Sequence, residues 1–351
     1  MKIGVITGGG DCPGLNAAVR AVVRSLKATN HTVLGILGGW DGLVNMRALE
    51  LDNNSVSGIL PKGGTILGTS RSNPFKNKKT AQQVARNISN LALDGLVVIG
   101  GYDTLGVAAK LHKEEKLPIV GVPKTIDRDV PGTEFTIGFD TACTVATEAI
   151  DRLHTTAESH NRVMIVEVMG RTAGWIALES GIAGGADVIV IPEFPQTVQE
   201  IGNMLVRRHN RGKDFSIIVV SDGAQILEEA KGKGKPKGEL ITRSDEKDEF
   251  GNMKLGGIAY VLANRLQKLV GFDIRVSSLG HVQRGGNPTA RDRYLATRLG
   301  LAASDFVNQK KFGTYAAIRE GRIVDAPLAD VLQDRNQVDK KTWDMVSQLL
   351  G

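Results

Sequence analysis

Residues 2–26, KIGVITGGGDCPGLNAAVRAVVRSL, pass from a short apolar run through a glycine-rich turn into a stretch of helical period. Strand, tight turn and helix in that order open a parallel α/β sheet, in which ligands bind beyond the carboxyl ends of the strands. The alternation recurs along the chain. Val/Ile-rich runs at 32–37 (TVLGIL), 95–100 (GLVVIG), 118–122 (PIVGV), 162–168 (RVMIVEV), 187–191 (DVIVI) and 215–220 (FSIIVV) are predicted strands, separated by amphipathic segments. The expected fold class is α/β with mostly parallel sheets, and the residues directly after each run carry the most functional weight.

A chain of 351 residues has room for two domains. A composition shift near Asp140, where GFDTACTVATEAIDRLHTTAESHNR starts a long helix, marks one boundary. The one biased segment, KGKGKPKGE at 231–239, reads as a solvated loop after a helix following FSIIVV. Gly accounts for 42 residues, about 12% against a background of roughly 7%, so tight turns are the place to look for chemistry. The formal net charge of +6 suits anionic small molecules, while 5% aromatic content argues against stacking on nucleic-acid bases. Cys12 and Cys143 form no CxxC pair and no HExxH occurs, which argues against a disulfide framework and a zinc site. No apolar run reaches 18 residues and MKIGVIT reads directly as a strand, so no membrane span and a cytoplasmic address are expected.

Three clusters follow strand runs. Gly8–Asn16 lacks both GxxxxGK[ST] and GxGxxG, yet glycines ahead of a helix suit an anion. Gly100-Gly101-Tyr102-Asp103-Thr104 is a second turn of that type, where an Asp or Thr also serves as an ordinary helix cap. Pro123-Lys124-Thr125-Ile126-Asp127-Arg128-Asp129 combines carboxylates, cations and a hydroxyl, the groups that phosphoryl transfer asks for. Arg71, Met169-Gly170-Arg171, Asp222 and Gly280–Gly286 with His281 and Arg284 add candidate phosphate contacts.

Taken in order, GGGDCPGLN, GGTILGTSR, IGGYDT, PKTIDRD, MGR and LGHVQRGG resemble the phosphofructokinase family from near residue 1 to beyond 280. The resemblance implies two three-layer α/β domains with the active site in the cleft between them. Residues 1–138 plus about 283–315 would bind the phosphoryl donor, and 139–282 plus about 316–351 the sugar phosphate. It also implies transfer of a phosphoryl group to the 1-hydroxyl of fructose 6-phosphate, giving fructose 1,6-bisphosphate in glycolysis, with Mg²⁺ as cofactor. Carried over by motif, Asp127 would be the general base beside Thr125, with Arg171 steadying the transferred charge. Gly10, Arg71, Asp103 and Lys124 would face the donor. Thr125, Asp127, Met169, Gly170, Arg171, Asp222, His281 and Arg284 would meet the sugar phosphate, and Asp129 would lie close to the metal. Arg162 and Arg275 resemble cations that reach a neighbouring subunit's site, which implies a homo-oligomer, a dimer or tetramer.

Departures from the pattern matter as much. Tyr102 stands at the usual acidic metal position, and a neutral phenol is a poor ligand for a hard cation. Arg128 replaces the family's Asn and sets a positive charge beside the presumed base, which should weaken it as a proton acceptor. Asp222 stands for Glu and Thr172 for a frequent His. Asp103, where ATP users have Gly, crowds and repels a nucleotide's α-phosphate, so pyrophosphate is favoured over ATP as donor. The alternatives are an ATP-dependent 6-phosphofructokinase and, because of Tyr102 and Arg128, a catalytically impaired sugar-phosphate-binding regulatory subunit.

Overall fold

β-Branched runs are stiff at χ1 and favour extended backbone, and the predicted ones form strands here. The computed structural model describes residues 1–228 and 237–351. Its strands are β1 Lys2–Thr7, β2 Thr32–Ile36, β3 Ala48–Leu51, β4 Gly95–Gly100, β5 Ile119–Pro123, β6 Val163–Val168, β7 Val188–Val190, β8 Gln196–Thr197, β9 Ser216–Ser221, β10 Gln225–Glu228, β11 Lys237–Leu240, β12 Thr242–Lys247, β13 Met253–Leu255, β14 Ile274–Ser278, β15 Thr314–Arg319 and β16 Arg322–Pro327. The chain divides into two units. The first holds Met1–Thr141, Lys247–Asn252 and Arg284–Asn336, the second Ala142–Glu246, Met253–Gln283 and Gln337–Gly351.

In the first unit seven strands run in the order β16-β15-β5-β4-β1-β2-β3. The five central strands pair in parallel, and β3 and β16 close the edges antiparallel. Ile6, Val98, Ile119 and Leu105 share one buried cluster with Trp40, Leu111 and Tyr315. Each fully buried aliphatic side chain there is worth roughly 1.5–3 kcal/mol. Because β15 pairs with β5, residues 316–336 belong to this unit, which corrects their expected place with the sugar-binding domain. The helix Leu15–Ala28 packs on the helix Ala290–Asn308.

A four-stranded parallel sheet, β14-β6-β9-β7, forms the centre of the second unit. Ile165, Ile218, Val190 and Leu262 are among its buried residues. After FSIIVV the chain enters β10 rather than the expected helix. β10 pairs with β8 in parallel and β11 antiparallel, so residues 237–239 of the basic segment are strand, not loop. Residues 231–236 of that segment lie outside the described residues.

The long helix predicted near Asp140 is Phe139–His160. Its first turn has free N–H groups, and Asp292 supplies the acceptors. Asp292 Oδ1 accepts from Gly138 N at 2.9 Å, and Oδ2 from Thr141 N at 2.8 Å and Thr141 Oγ1 at 2.5 Å. No helix among the described residues is long and apolar enough to cross a membrane.

Candidate active site

The first glycine turn leaves β1 with Gly9 at φ +81°, a left-handed conformation that costs glycine little. A loop from the GTSR segment is tied to it: Gly9 N donates to Ser70 O at 2.9 Å and Thr69 Oγ1 to Gly9 O at 2.7 Å. Lys124, only 2% exposed, donates from Nζ to Gly8 O at 2.9 Å and Gly10 O at 2.5 Å. Burial lowers its pKa from the ordinary lysine value. The ammonium expected to face the donor is therefore also a strut beneath the turn. Arg284 belongs to this unit and packs on Gly10, where a Cβ would stand 2.8 Å from Nη1. Nη1 donates to Asp11 O at 3.2 Å, while the buried Nε has no partner among the described residues. Ser70 Oγ is buried and also has no partner among the described residues, and Arg71 is exposed.

After β5 the chain turns through the predicted acid–base cluster. Asp127 is 6% exposed, its backbone N–H donates to Thr125 Oγ1 at 3.1 Å, and its buried Oδ1 has no partner among the described residues. Lys124 stands within electrostatic reach of Asp127. Arg128 adopts φ +53°, donates from Nε to Glu134 O at 2.7 Å, and lies over the rings of Phe135 and Phe139 at 5.0 and 5.3 Å. Asp129 is buried and ion-paired with Arg335. Burial first, and then the negative charge of Asp127, push the Asp129 carboxyl up to about 6 against the pull of Arg335.

Arg335 makes a second ion pair, Nη2 to Asp103 Oδ1 at 3.0 Å, and lies over the Tyr102 ring at 4.0 Å. Tyr102 in turn donates its hydroxyl to Gln333 O at 3.0 Å, and Asn252 Nδ2 donates to Asp103 Oδ2 at 3.2 Å. The N-cap of the helix Tyr102–Glu115 is Gly101, so neither Asp103 nor Thr104 serves as the cap. The Mg²⁺ implied by the family pattern finds no protein-built site in this arrangement. Asp129 and Asp103 hold a guanidinium, the Tyr102 hydroxyl points its proton at a carbonyl, and no group of three or more His, Cys, Asp or Glu among the described residues is placed to hold a metal.

The second unit holds the other group. Met169-Gly170-Arg171 leaves β6 in a turn with Arg171 at φ +54°. Its backbone is seated by Asp222 Oδ1, which accepts from Arg171 N at 2.8 Å, and by Gly223, where a Cβ would stand 1.5 Å from the Arg171 carbonyl oxygen. Such closeness demands glycine. Gly170 is confined likewise, since a Cβ there would stand 2.5 Å from Ala173 O, and Thr172 is exposed, its carbonyl accepting from Gln337 Nε2. A pocket in this unit is lined by Met169, Asp222 and His281 together with Glu167, Arg243 and Gly256. Glu167 is anchored at the start of the helix Ile258–Leu266, accepting from Gly257 N and Ala259 N. Arg162 and Arg275 are brought together on one acid: Asp273 accepts from Arg162 Nε at 2.7 Å and pairs with Arg275 Nη1 at 2.6 Å.

Two side chains at these sites escaped sequence reasoning. Arg335 lies in a C-terminal stretch with no motif, and Arg243 lies on β12, outside any run that the apolar pattern marks. Only the three-dimensional placement reveals either.

A buried carboxylate, glycine turns and paired cations are the groups that phosphoryl transfer asks for. The phosphofructokinase family profile matches residues 2–307. Over 352 residues, covering all of both chains, the sequence is 46% identical to a pyrophosphate–fructose 6-phosphate 1-phosphotransferase of Streptomyces coelicolor. It is equally 46% identical, over 354 residues and both full lengths, to an ATP-dependent 6-phosphofructokinase of Mycobacterium tuberculosis. Phosphofructokinase from Pichia pastoris in its T-state matches with a TM-score of 0.80 at 33% identity; all of this chain is covered, and it spans 38% of that longer chain. The chain belongs to the phosphofructokinase family.

Proposed function

We propose that this chain transfers a phosphoryl group from pyrophosphate to the 1-hydroxyl of fructose 6-phosphate, giving fructose 1,6-bisphosphate and phosphate. The observation that carries the reading is the buried Asp127 carboxylate, whose Oδ1 has no partner among the described residues and needs a hydroxyl proton. Asp127 takes the proton of the 1-hydroxyl as its oxygen attacks the terminal phosphorus. The P–O–P bond breaks and phosphate leaves. Arg284 Nε, expected with the sugar phosphate but packed on Gly10 in the first unit, and the Gly10 N–H receive the donor's oxygens, and Lys124 holds that turn in shape. Arg171, Met169, Asp222 and His281 take the sugar phosphate in the second unit, joined by Arg243.

Asp103 favours pyrophosphate, because a carboxylate there repels a nucleotide's α-phosphate and takes its space. Both donor types occur among equally similar relatives, so the choice rests on this residue. Mg²⁺ enters with the donor as its counter-ion, as part of the substrate. Arg162 and Arg275, held on Asp273, face a neighbouring copy in a homo-oligomer. The test is Asp127→Ser. Turnover should fall about 10²- to 10⁴-fold while fructose 6-phosphate binding, read by calorimetry, is retained. A variant that keeps most of the parental rate would overturn the assignment.

A further inference from the structure

Arg335 joins the two strand-end clusters of the first unit. Its Nη1 pairs with Asp129 and its Nη2 with Asp103, while its plane lies over Tyr102. The neighbouring backbone fastens the same segment, with Asn336 N donating to Asp129 O at 3.1 Å and Asn336 Nδ2 to Arg128 O at 2.9 Å. The Arg335 side chain is four-fifths buried. Burial works against its charge, and Asp129 and Asp103 more than offset this, holding its pKa above the ordinary arginine value. Two acids that share one cation leave a net single negative charge, and a divalent ion cannot enter without displacing the guanidinium. Tyr102 fits this arrangement: an acid there would call for a second cation, whereas an aromatic face binds the one present.

We propose that Arg335 is the fixed cation of the donor pocket, standing on Asp103 and Asp129 in place of a protein-held divalent ion and offering its remaining N–H groups to an anionic phosphoryl donor. A guanidinium has five N–H donors, and Asp129 and Asp103 take one each. The other three have no protein acceptor among the described residues. The donor arm of this inference rests on the pyrophosphate reading; the metal arm does not.

The test swaps the cation. In the parent, Mn²⁺ alone, followed by its electron paramagnetic resonance signal, should show no stoichiometric site. Arg335→Gln should expose the Asp103/Asp129 pair and gain one Mn²⁺ site at least tenfold tighter than anything in the parent. Adding Asp129→Asn should abolish it. In chelator, the parent should bind inorganic pyrophosphate at least tenfold more tightly than Arg335→Gln, and Mn²⁺ should restore the variant. If Arg335→Gln does not fold unaided, millimolar Mn²⁺ should return its circular dichroism, since a ligand of the native state stabilises it. A parent that already binds Mn²⁺ tightly, or a variant that gains no site and is not rescued, would overturn the proposal. If the metal arm succeeds and the parent does not bind pyrophosphate, the donor reading fails while Arg335 keeps its place.

Discussion

Lys124 and Cys12 show how single buried groups tie the first glycine turn to the fold. The Lys124 ammonium satisfies two carbonyls of the glycine turn, and hydrogen bonds from a charged donor are worth about 1.5–3 kcal/mol each. Lys124→Met should therefore lower stability to urea by roughly 3–6 kcal/mol as well as impair pyrophosphate use; a variant as stable as the parent would show that the strut is idle. Cys12 is fully buried, with Sγ on Ile137 O at 3.3 Å, and burial pushes its thiol up from 9.0 to about 12. The folded pKa lies above the unfolded one, so the native state keeps a proton that the unfolded chain gives up over this range. The stability present below pH 9 is then lost as pH rises, at about 1.4 kcal/mol per pH unit between 9 and 12. Urea unfolding should show the parent losing about 1.4 kcal/mol of stability between pH 8 and pH 10, and Cys12→Ala losing less. Tyr102, which sequence reasoning treats as a missing metal ligand, has its own work: its ring carries the Arg335 guanidinium and its hydroxyl holds Gln333.

At the scale of elements, six of the seven apolar runs form strands inside a sheet, and the seventh, β7, is an edge strand that is nonetheless fully buried, so these runs are Val/Ile-rich. The other edge strands were not legible. β3 (ALEL), β14 (IRVSS) and β16 (RIVDAP) mix polar residues with apolar ones because only part of each is covered. The β15–β16 hairpin turns at Glu320 and Gly321, both at positive φ, a geometry set by the Glu-Gly pair and by strand twist rather than by any apolar period. The strand-end clusters of the site were readable for the same reason as the central strands, whereas Arg335 reaches Asp103 across 232 residues of sequence with no local signal. Among helices, Phe139–His160 depends on a distant cap, with three donors converging on Asp292. Asp292→Ala should cost on the order of 3 kcal/mol in urea unfolding, and Asp292→Asn less, because the amide oxygen keeps one acceptor. Equal stability of all three proteins would contradict the capping role.

Across the whole molecule, each unit carries its own candidate groups. The first unit carries the proposed base Asp127, the glycine turns and Lys124, Arg284 and Arg335; the second carries Arg171, Asp222, His281 and Arg243. A chain with net charge +6 that draws cations to such turns suits two phosphorylated substrates. The donor is the point on which its relatives differ, and here Asp103 and the Arg335 that holds it decide the account. The most direct measurement is the initial rate of fructose 1,6-bisphosphate formation on one preparation, with fructose 6-phosphate and matched Mg²⁺, given pyrophosphate or ATP in turn. Pyrophosphate should support the faster turnover; a faster rate with ATP would contradict the role given to Asp103.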